Sequence, residues 1–505
     1  MPKYGEKLYP SILFSYTAAL EMGWHLGVTN LPEPFIKCWI NEVTYGNVNQ
    51  TICDQATDPD NEFIADQLSE VSFYWALCTS IFGIGAAIGG LIGGPFSDKF
   101  GRKTTMIWNA IFAFILCLLL GATRFIGNYP IFVIARTLIG LQAGITSSAA
   151  PVYLNEVTPE EEYGKFGTGF SLVVCSGILF SQVSGLTWLL GTNDLWPYTF
   201  IVGMVPVVIN LCLAFVCPES PSWLARHGKI QEAIKADATL RGKDHIRSEK
   251  YFKNLATERE EGPGLLQNIK DLYRDPPVRS AISNVIMYQI IQQLSGINAI
   301  FFYSGGIFFR AGIPNEYSGL ATVGLGIINV IGVFMAVNLV DRLGRIKLFF
   351  WSMIGIALMT VLMTVLLTLE TDNEVITYLS IAPTLLYVLI FEIGVGPIPW
   401  MIACEIVPDK YKAGSAAIGA TVNWFFAFLV GLIFPPLNDW LDSYVFIIFT
   451  ATCILGALYI RFLGVESKGR NIDEIMEVYC RKAGVAKKSY LGEDGPGGDS
   501  MADEL

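Results

Sequence analysis

Apolar residues in this chain do not alternate with polar ones. They accumulate in charge-free runs such as 280–309, 348–369 and 413–438, each at or beyond the ~20 residues that cross a bilayer core. Strands of a membrane barrel would instead alternate over ~10 residues, so the pattern predicts an all-α membrane protein. Twelve transmembrane helices can be cut from it, at 8–30, 71–95, 104–122, 129–154, 166–188, 195–217, 280–310, 317–340, 346–369, 375–403, 413–436 and 442–463. They are called spans 1 to 12 here. Long polar stretches remain at 31–70, 218–279 and 464–505.

Composition narrows the class further. The 505 residues are 52% hydrophobic and only 16% charged, against about 25% charged in soluble domains. An ordinary soluble enzyme, a disordered chain and a nucleic-acid binder are excluded. The net charge of −11 is no binding patch, because the acids gather in 33–70 and after Glu466. Most of the ten cysteines lie inside apolar runs, where cysteine is a small buried hydrophobe. Only Cys38 and Cys53 share a polar loop and are candidates for a disulfide. No cleavable signal precedes the first apolar run.

Lysine and arginine set the orientation. With both termini and 218–279 on one side, only Lys37, Arg124, Arg136 and Arg310 fall on or near the other, so about 30 of the 34 basic residues lie together. That side is predicted to be the cytoplasm. The outer 31–70 loop then carries Asn49-Gln-Thr51, the only glycosylation acceptor triplet. Segment 218–279 reads as short amphipathic helices around Ile230, Ala233, Ile234, Ala238 and Leu240. The Gly- and acid-rich composition after Tyr490 predicts no packed core.

Three motif pairs recur at nearly the same spacing. Asp98-Lys-Phe-Gly-Arg102 answers to Asp341-Arg-Leu-Gly-Arg345, offset by 243. Glu156-Val-Thr-Pro159 answers to Glu405-Ile-Val-Pro408, offset by 249, and Glu219-Ser-Pro-Ser222 to Glu466-Ser-Lys-Gly469, offset by 247. Three pairs in register mean two six-helix pseudo-repeats, the pattern of a rocking-bundle transporter. The predicted organisation is a bundle over 1–217, a cytoplasmic helical linker over 218–279, a second bundle over 280–463 and a cytoplasmic tail over 464–505. Acids and bases at helix ends can pair between halves when that face closes. Candidates for such a cytoplasmic gate are Glu156, Glu219, Glu405 and Glu466 with Arg102, Arg345, Lys412 and Arg470. Glycines 83, 85, 89, 90, 93 and 94 let span 2 approach a neighbour closely.

The remaining motifs are recognisable. Gln292-Gln293-Leu-Ser-Gly-Ile-Asn298 followed by Phe302-Tyr303-Ser304, Pro218-Glu-Ser-Pro221, Gly396-Pro-Ile-Pro-Trp400, Asn423-Trp424 and Glu466-Ser-Lys-Gly-Arg470 resemble the sugar-porter branch of the major facilitator superfamily. The similarity is closest to animal facilitative glucose transporters and runs the length of the chain. It implies the major facilitator fold, alternating access and passive hexose movement.

The residues themselves suit a neutral polyol. Polar groups inside a membrane are costly and mark a pathway. Gln292, Gln293, Asn298, Asn329 and Asn423 both donate and accept, as sugar hydroxyls do. Trp400 offers an apolar face and an indole N–H, and no arginine stands at mid-depth to hold an anion. Glu392 is expected to support the Pro397–Pro399 break by hydrogen bonding, or to carry a coupled proton. Pro435-Pro436 and Phe301-Phe302-Tyr303 are candidates for an outer seal.

Several family positions are filled differently. Ser171 stands where a sugar-binding glutamine is usual, and Ala427 where an asparagine is. Gln289-Ile-Ile291 departs from Gln-Leu-Ser. Tyr163 and Ser222 replace cytoplasmic arginines. In span 1, where proton-coupled relatives carry aspartate and passive ones asparagine, stands His25, with Glu21 one turn earlier, a candidate proton site. The reading is a plasma-membrane uniporter of hexose, foremost D-glucose, with both termini cytoplasmic. A proton-coupled sugar or polyol symporter and a non-transporting sugar sensor are the alternatives. No enzyme chemistry, cofactor, metal, nucleotide or nucleic acid is implied; the partners are a small sugar and the lipid bilayer.

Overall fold

The computed structural model describes residues 4–46, 71–159, 162–242, 247–261, 265–310, 313, 315–369 and 378–486. Among them the regular elements are all helical. Ten segments are long and apolar enough to cross a membrane. One of these, Lys412–Leu463, is two spans, Lys412–Leu441 and Val445–Leu463, joined by a single tight turn at Asp442–Tyr444. Span 1, Leu8–Gly27, is a further helix whose Glu21 and His25 lower its hydropathy. All twelve predicted spans are therefore helices.

The helix ends follow from local chemistry. Span 3 (Arg102–Ile126) starts after Gly101 and ends at Gly127, both at positive φ, where a side chain would be strained. Span 4 (Tyr129–Val157) is capped by Asn128, whose side chain accepts from Ile131 N. Span 2 (Ser72–Phe100) lies close to span 4: a Cβ on Gly85 or Gly89 would meet the carbonyl oxygens of Thr137 and Leu141 at 2.0 Å. Gly83 faces span 11 instead, where an added Cβ would lie 2.8 Å from Trp424 O. The glycine stripe thus serves two neighbours.

Two spans of the second half are interrupted. Span 7 is Pro276–Leu294 followed by Ile297–Arg310, with Gly296 at φ 95° between them. Tyr387 donates to the Ser295 carbonyl set free there, at 2.9 Å. Span 10 runs as Ile381–Ile390, a wide π-turn Phe391–Val395, and Ile398–Glu405. Pro397 and Pro399 have no N–H to continue the ladder. Such breaks are tolerated at membrane depth only where other groups satisfy the backbone.

The predicted boundaries shift at two places. Span 7 begins at Pro276, inside the stretch read as linker. The stretch read as tail opens with helix Ile472–Ala483, whose Tyr479 is buried and accepts from Asn284 Nδ2 at 2.9 Å. Its amphipathic pattern was masked by the charges around it. The linker holds helices Pro221–Arg226, Ile230–Arg241, Glu249–Glu261 and Leu265–Arg274, and Ala233 packs with Leu224, Ala225, Ala236 and Phe252. Beyond the opposite face, Glu33–Tyr45 forms one helix. Cys38 on it is disulfide-bonded; Cys53 and Asn49 lie outside the described residues, as does the stretch after Tyr490.

Candidate functional site

Five amides meet between spans 7, 10 and 11. Asn423 donates to Gln289 Oε1 at 2.7 Å and to Gln292 Oε1 at 2.5 Å, and accepts from Gln293 Nε2 at 2.8 Å. Gln293 in turn accepts from Asn298. Four of the five are buried, with Asn298 intermediate. Gln289 was not among the predicted site residues. Its spacing of three from Gln292, one helical turn, was the available signal.

The same glutamines support the break in span 10. Pro399 lacks the N–H that a continuous helix would direct to Val395 O. Gln292 Nε2 supplies the missing donor at 2.8 Å, reaches Gly396 O at 2.6 Å, and Gln289 Nε2 reaches Pro399 O at 3.2 Å. Glu392, expected to do this, makes no hydrogen bond among the described residues. Its side chain lies against Gly332, where an added Cβ would come within 2.6 Å of Glu392 Cβ. Its carboxylate lies beside Gly396, where an added Cβ would come within 2.9 Å of Glu392 Oε2, so it borders the break without bonding to it.

The other predicted residues are less closely joined. Trp400 is 41% exposed and has no hydrogen bond or ring contact among the described residues. Asn329 is buried, but no hydrogen bond links it to the amides, and its Oδ1 has no described partner. Ser171 is exposed on span 5, Tyr163–Ser184. Ala427 is buried in span 11.

At the face bearing the linker helices, the duplicated motifs form two copies of one arrangement. Arg102 holds Glu156 with two bonds, Nε–Oε2 at 3.0 Å and Nη2–Oε1 at 3.2 Å, and reaches Asp98 at 2.6 Å. Arg345 holds Glu405 likewise at 3.1 and 2.9 Å. Ser220 donates to Glu156 and Ser467 to Glu405, each at 2.5 Å. Glu219 accepts from Lys103 N (2.9 Å) and Thr104 N (3.3 Å), and Glu466 from Arg345 N (2.9 Å) and Ile346 N (3.1 Å). Each acid therefore sits at the N-terminus of the third helix of its half, where the dipole favours a carboxylate. Burial pushes the Glu219 carboxyl above its ordinary value, while the N–H groups of Lys103, Ser220 and Thr104 and the charge of Arg102 pull it back.

In this conformation the gate charges pair within the halves and not across them. Among the described residues, every side-chain bond made by Arg102, Glu156, Glu219, Arg345, Glu405 and Glu466 stays within its own half. Arg470 is exposed, with no side-chain partner among the described residues. Four of the five N–H donors of Arg102 are engaged within its own half, which leaves one for any partner across the bundle. The acids press on glycines: a Cβ on Gly101 (φ 104°) would lie 2.4 Å from Glu219 Oε2, and one on Gly344 (φ 87°) 2.8 Å from Glu466 Oε2. Gly101→Ala is expected to cost about 1–3 kcal/mol, read as a lower melting temperature of the purified protein. An unchanged melt would mean that the Glu219 cap is dispensable.

The halves meet at the opposite end. Asn30 Nδ2 donates to Phe301 O at 2.5 Å and Ser304 Oγ at 2.8 Å. Tyr303 shares a hydrogen bond with Thr79 at 2.7 Å, donates to Gly431 O at 2.9 Å, and stacks on Phe434. The aromatic run of span 7 thus closes this end, with Asn30 and Thr79 as partners that no sequence motif marked.

His25 and Glu21 are also brought together. Glu21 Oε1 lies 3.4 Å from His25 Nε2, and Gln142 donates to Glu21 Oε2 at 3.0 Å. Arg136, counted with the outer charges, is instead 1% exposed. Its guanidinium donates to His25 O at 3.3 Å and Cys78 O at 3.4 Å, and lies over Phe82. An arginine does stand inside the first half. Two helical turns separate it from the end of span 4, a depth that charge counting does not resolve.

The family profile described as "Sugar (and other) transporter" matches residues 12–479. Facilitated glucose transporter member 3 of solute carrier family 2 from Mus musculus is 33% identical over 482 residues, covering 94% of each chain. Member 5 of that family from Homo sapiens is 31% identical over 472 residues, covering 93% of this chain and 91% of that protein. Among solved structures, the partially occluded inward-open form of the xylose transporter XylE from E. coli superposes with a TM-score of 0.73 at 22% identity. It covers 92% of this chain and 99% of that one. At that identity the similarity speaks for the fold, which is the major facilitator fold.

Proposed function

From the premise that this chain belongs to the sugar transporter family, we propose that it is a hexose uniporter, D-glucose foremost, working by alternating access. The observation that carries the reading is the amide cluster of Gln289, Gln292, Gln293, Asn298 and Asn423. It is neutral, donates and accepts, and is tied by hydrogen bonds to the backbone break of span 10. A polyol displacing one amide from another would alter the support of that break. Binding would thereby act differently on the two conformations, as a shift of equilibrium demands. Trp400, Asn329, Glu392 and Ser171 are the outer members of the proposed pocket.

The bundles 1–217 and 280–463 rock against each other on the helical linker 218–279. The Asn30 and Tyr303 bonds must break for the far side to open. The duplicated arginine–glutamate pairs then act as braces that keep each bundle rigid, with Lys412 and Arg470 at their margin. We place the protein in the plasma membrane, multi-pass, with both termini in the cytoplasm and Asn49 as an outer glycosylation acceptor. The positive-inside distribution supports that orientation.

The test is uptake of labelled D-glucose into proteoliposomes, with L-glucose as leak control, with and without an inward proton gradient. Stereospecific equilibration, with no accumulation under the gradient, is the expected outcome. The Glu21–His25 contact at 3.4 Å favours one second reading, proton-linked symport. Accumulation that collapses with the gradient would establish it. Stereospecific binding without flux would make the protein a sensor.

A further inference from the structure

A second polar site lies inside the first half, between spans 1, 3, 4 and 6; of its residues, only Glu21 and Gln142 have entered above, beside His25. Its polar lining is Thr17, Glu21, Asn109, Gln142, Thr146 and Asn210. The cavity measures ≈ 10 Å³ on the scale where one water needs ~10–15 Å³. It suits a single guest of water size and is far too small for a sugar.

What distinguishes the cavity is its excess of acceptors. Glu21, Asn109, Gln142 and Asn210 are 2%, 7%, 2% and 2% exposed. Asn109 Nδ2 donates to Gln142 O at 3.0 Å and Thr146 Oγ1 at 2.8 Å. Asn210 Nδ2 donates to Phe14 O at 2.6 Å and Thr17 Oγ1 at 2.9 Å. Backbone carbonyls only accept, so these contacts decide which end of each amide is nitrogen. Gln142 Nε2 is committed to Glu21 Oε2 at 3.0 Å and Thr146 Oγ1 at 3.3 Å.

With the donors spent, four oxygens are left over. Glu21 Oε1, Asn109 Oδ1, Gln142 Oε1 and Asn210 Oδ1 accept no hydrogen bond from any described residue. Thr17 donates to Phe14 O, and the Thr146 hydroxyl proton can serve only one of the four. Buried oxygens without donors are costly. A water brings only two protons for the four oxygens, and among the described lining only the Thr146 hydroxyl could donate to it. A cation answers all four oxygens at once.

Charge selects the kind of cation. The cavity has one carboxylate, and Glu21 has no arginine or lysine partner: Arg136 is turned to His25 O, Cys78 O and the Phe82 ring. The other titratable groups nearby are His25, 3.4 Å from Glu21 Oε1, and Cys117, 3.4 Å from His25 Nε2. One positive charge leaves the site neutral, whereas a divalent ion would leave an uncompensated charge in a low dielectric. An all-oxygen wall suits a hard ion.

We infer that Glu21, Asn109, Gln142 and Asn210 form a binding site for one monovalent metal cation, with Na⁺ as the probe. The ion would tie four helices of the first half together at a point separate from the sugar site. The inference does not depend on which sugar is carried.

The experiment uses the purified full-length protein in detergent. Binding of radioactive sodium is measured together with melting in sodium chloride against choline chloride at equal ionic strength. Saturable binding of one ion per chain is expected. Melting should rise by roughly 2–4 °C when sodium is tenfold above its dissociation constant. Glu21→Gln and Asn210→Ala should each weaken binding by about tenfold or more, while D-glucose still raises their melting temperature. That last readout keeps a failure of the cation site separate from a failure of the sugar reading. The inference is overturned if sodium does not bind or stabilise the wild-type protein beyond choline. Equal stabilisation of wild type and Glu21→Gln would also overturn it. So would a melting temperature that follows pH and ignores sodium, which would assign the cavity to a proton on Glu21. If Glu21→Gln does not fold, Asn210→Ala and the wild-type titration still decide the matter.

Discussion

Gln292→Ala should lower D-glucose flux by about one to two orders of magnitude without preventing insertion of the protein. The side chain donates to Val395 O and Gly396 O and accepts from Asn423. Truncation leaves the buried Val395 carbonyl and the half-buried Gly396 carbonyl of the span-10 break without that donor, at about 1–3 kcal/mol for a buried group left unsatisfied. It also removes a ligand from the proposed sugar site, and each 1.36 kcal/mol of barrier is about tenfold in rate. Initial rates of equilibrium exchange in proteoliposomes, normalised to folded protein, would measure this. Gln292→Glu retains acceptors but loses the donor, so it should resemble the alanine variant. Unchanged flux in both would remove the amide cluster from the transport site.

The second large effect concerns stability. Arg102 is buried and joins Glu156, Asp98 and the Ser97 carbonyl. Arg102→Ala leaves Glu156 with Ser220 as its remaining side-chain donor, and breaking a buried pair costs about 3–5 kcal/mol. For a bundle of this size the melting temperature should fall by roughly 6–15 °C. Arg102→Lys should recover only part of the loss, because an ammonium cannot make the paired bonds. The counterpart Arg345→Ala should cost less: Arg345 and Glu405 are 12% and 28% exposed against 4% and 13% for Arg102 and Glu156. Exposed pairs contribute less than buried ones. Equal losses would mean that burial does not govern the braces, and a cross-half gate would predict altered flux with little loss of stability.

Much of the site could be read from residue type, and its geometry could not. Gln292, Gln293, Asn298 and Asn423 stand out because amides in charge-free runs are costly. The same reasoning did not reveal that Gln292 serves the backbone of span 10, since that contact joins residues about 100 positions apart. Glu392 was assigned the task by proximity in sequence; its carboxylate does lie beside Gly396, but it makes no hydrogen bond to the break among the described residues. Arg136 was placed at the surface by charge counting, although it is buried against span 1. Glu21, Asn109, Gln142 and Asn210 come from four helices, and no local pattern connects them.

The number of the spans, the internal duplication and the helical character are all present in the chain itself. They arise from interactions of residues with solvent, lipid and near neighbours, which length, charge and periodicity report directly. Tertiary structure decided which duplicated charges pair within a half, which carbonyls the glutamines rescue, and where donors run short. Those outcomes depend on which helices come into contact and on how each side chain spends its few hydrogen bonds. Each bond is short and directional, so a difference of one helical turn changes the partner while the hydrophobic pattern stays the same.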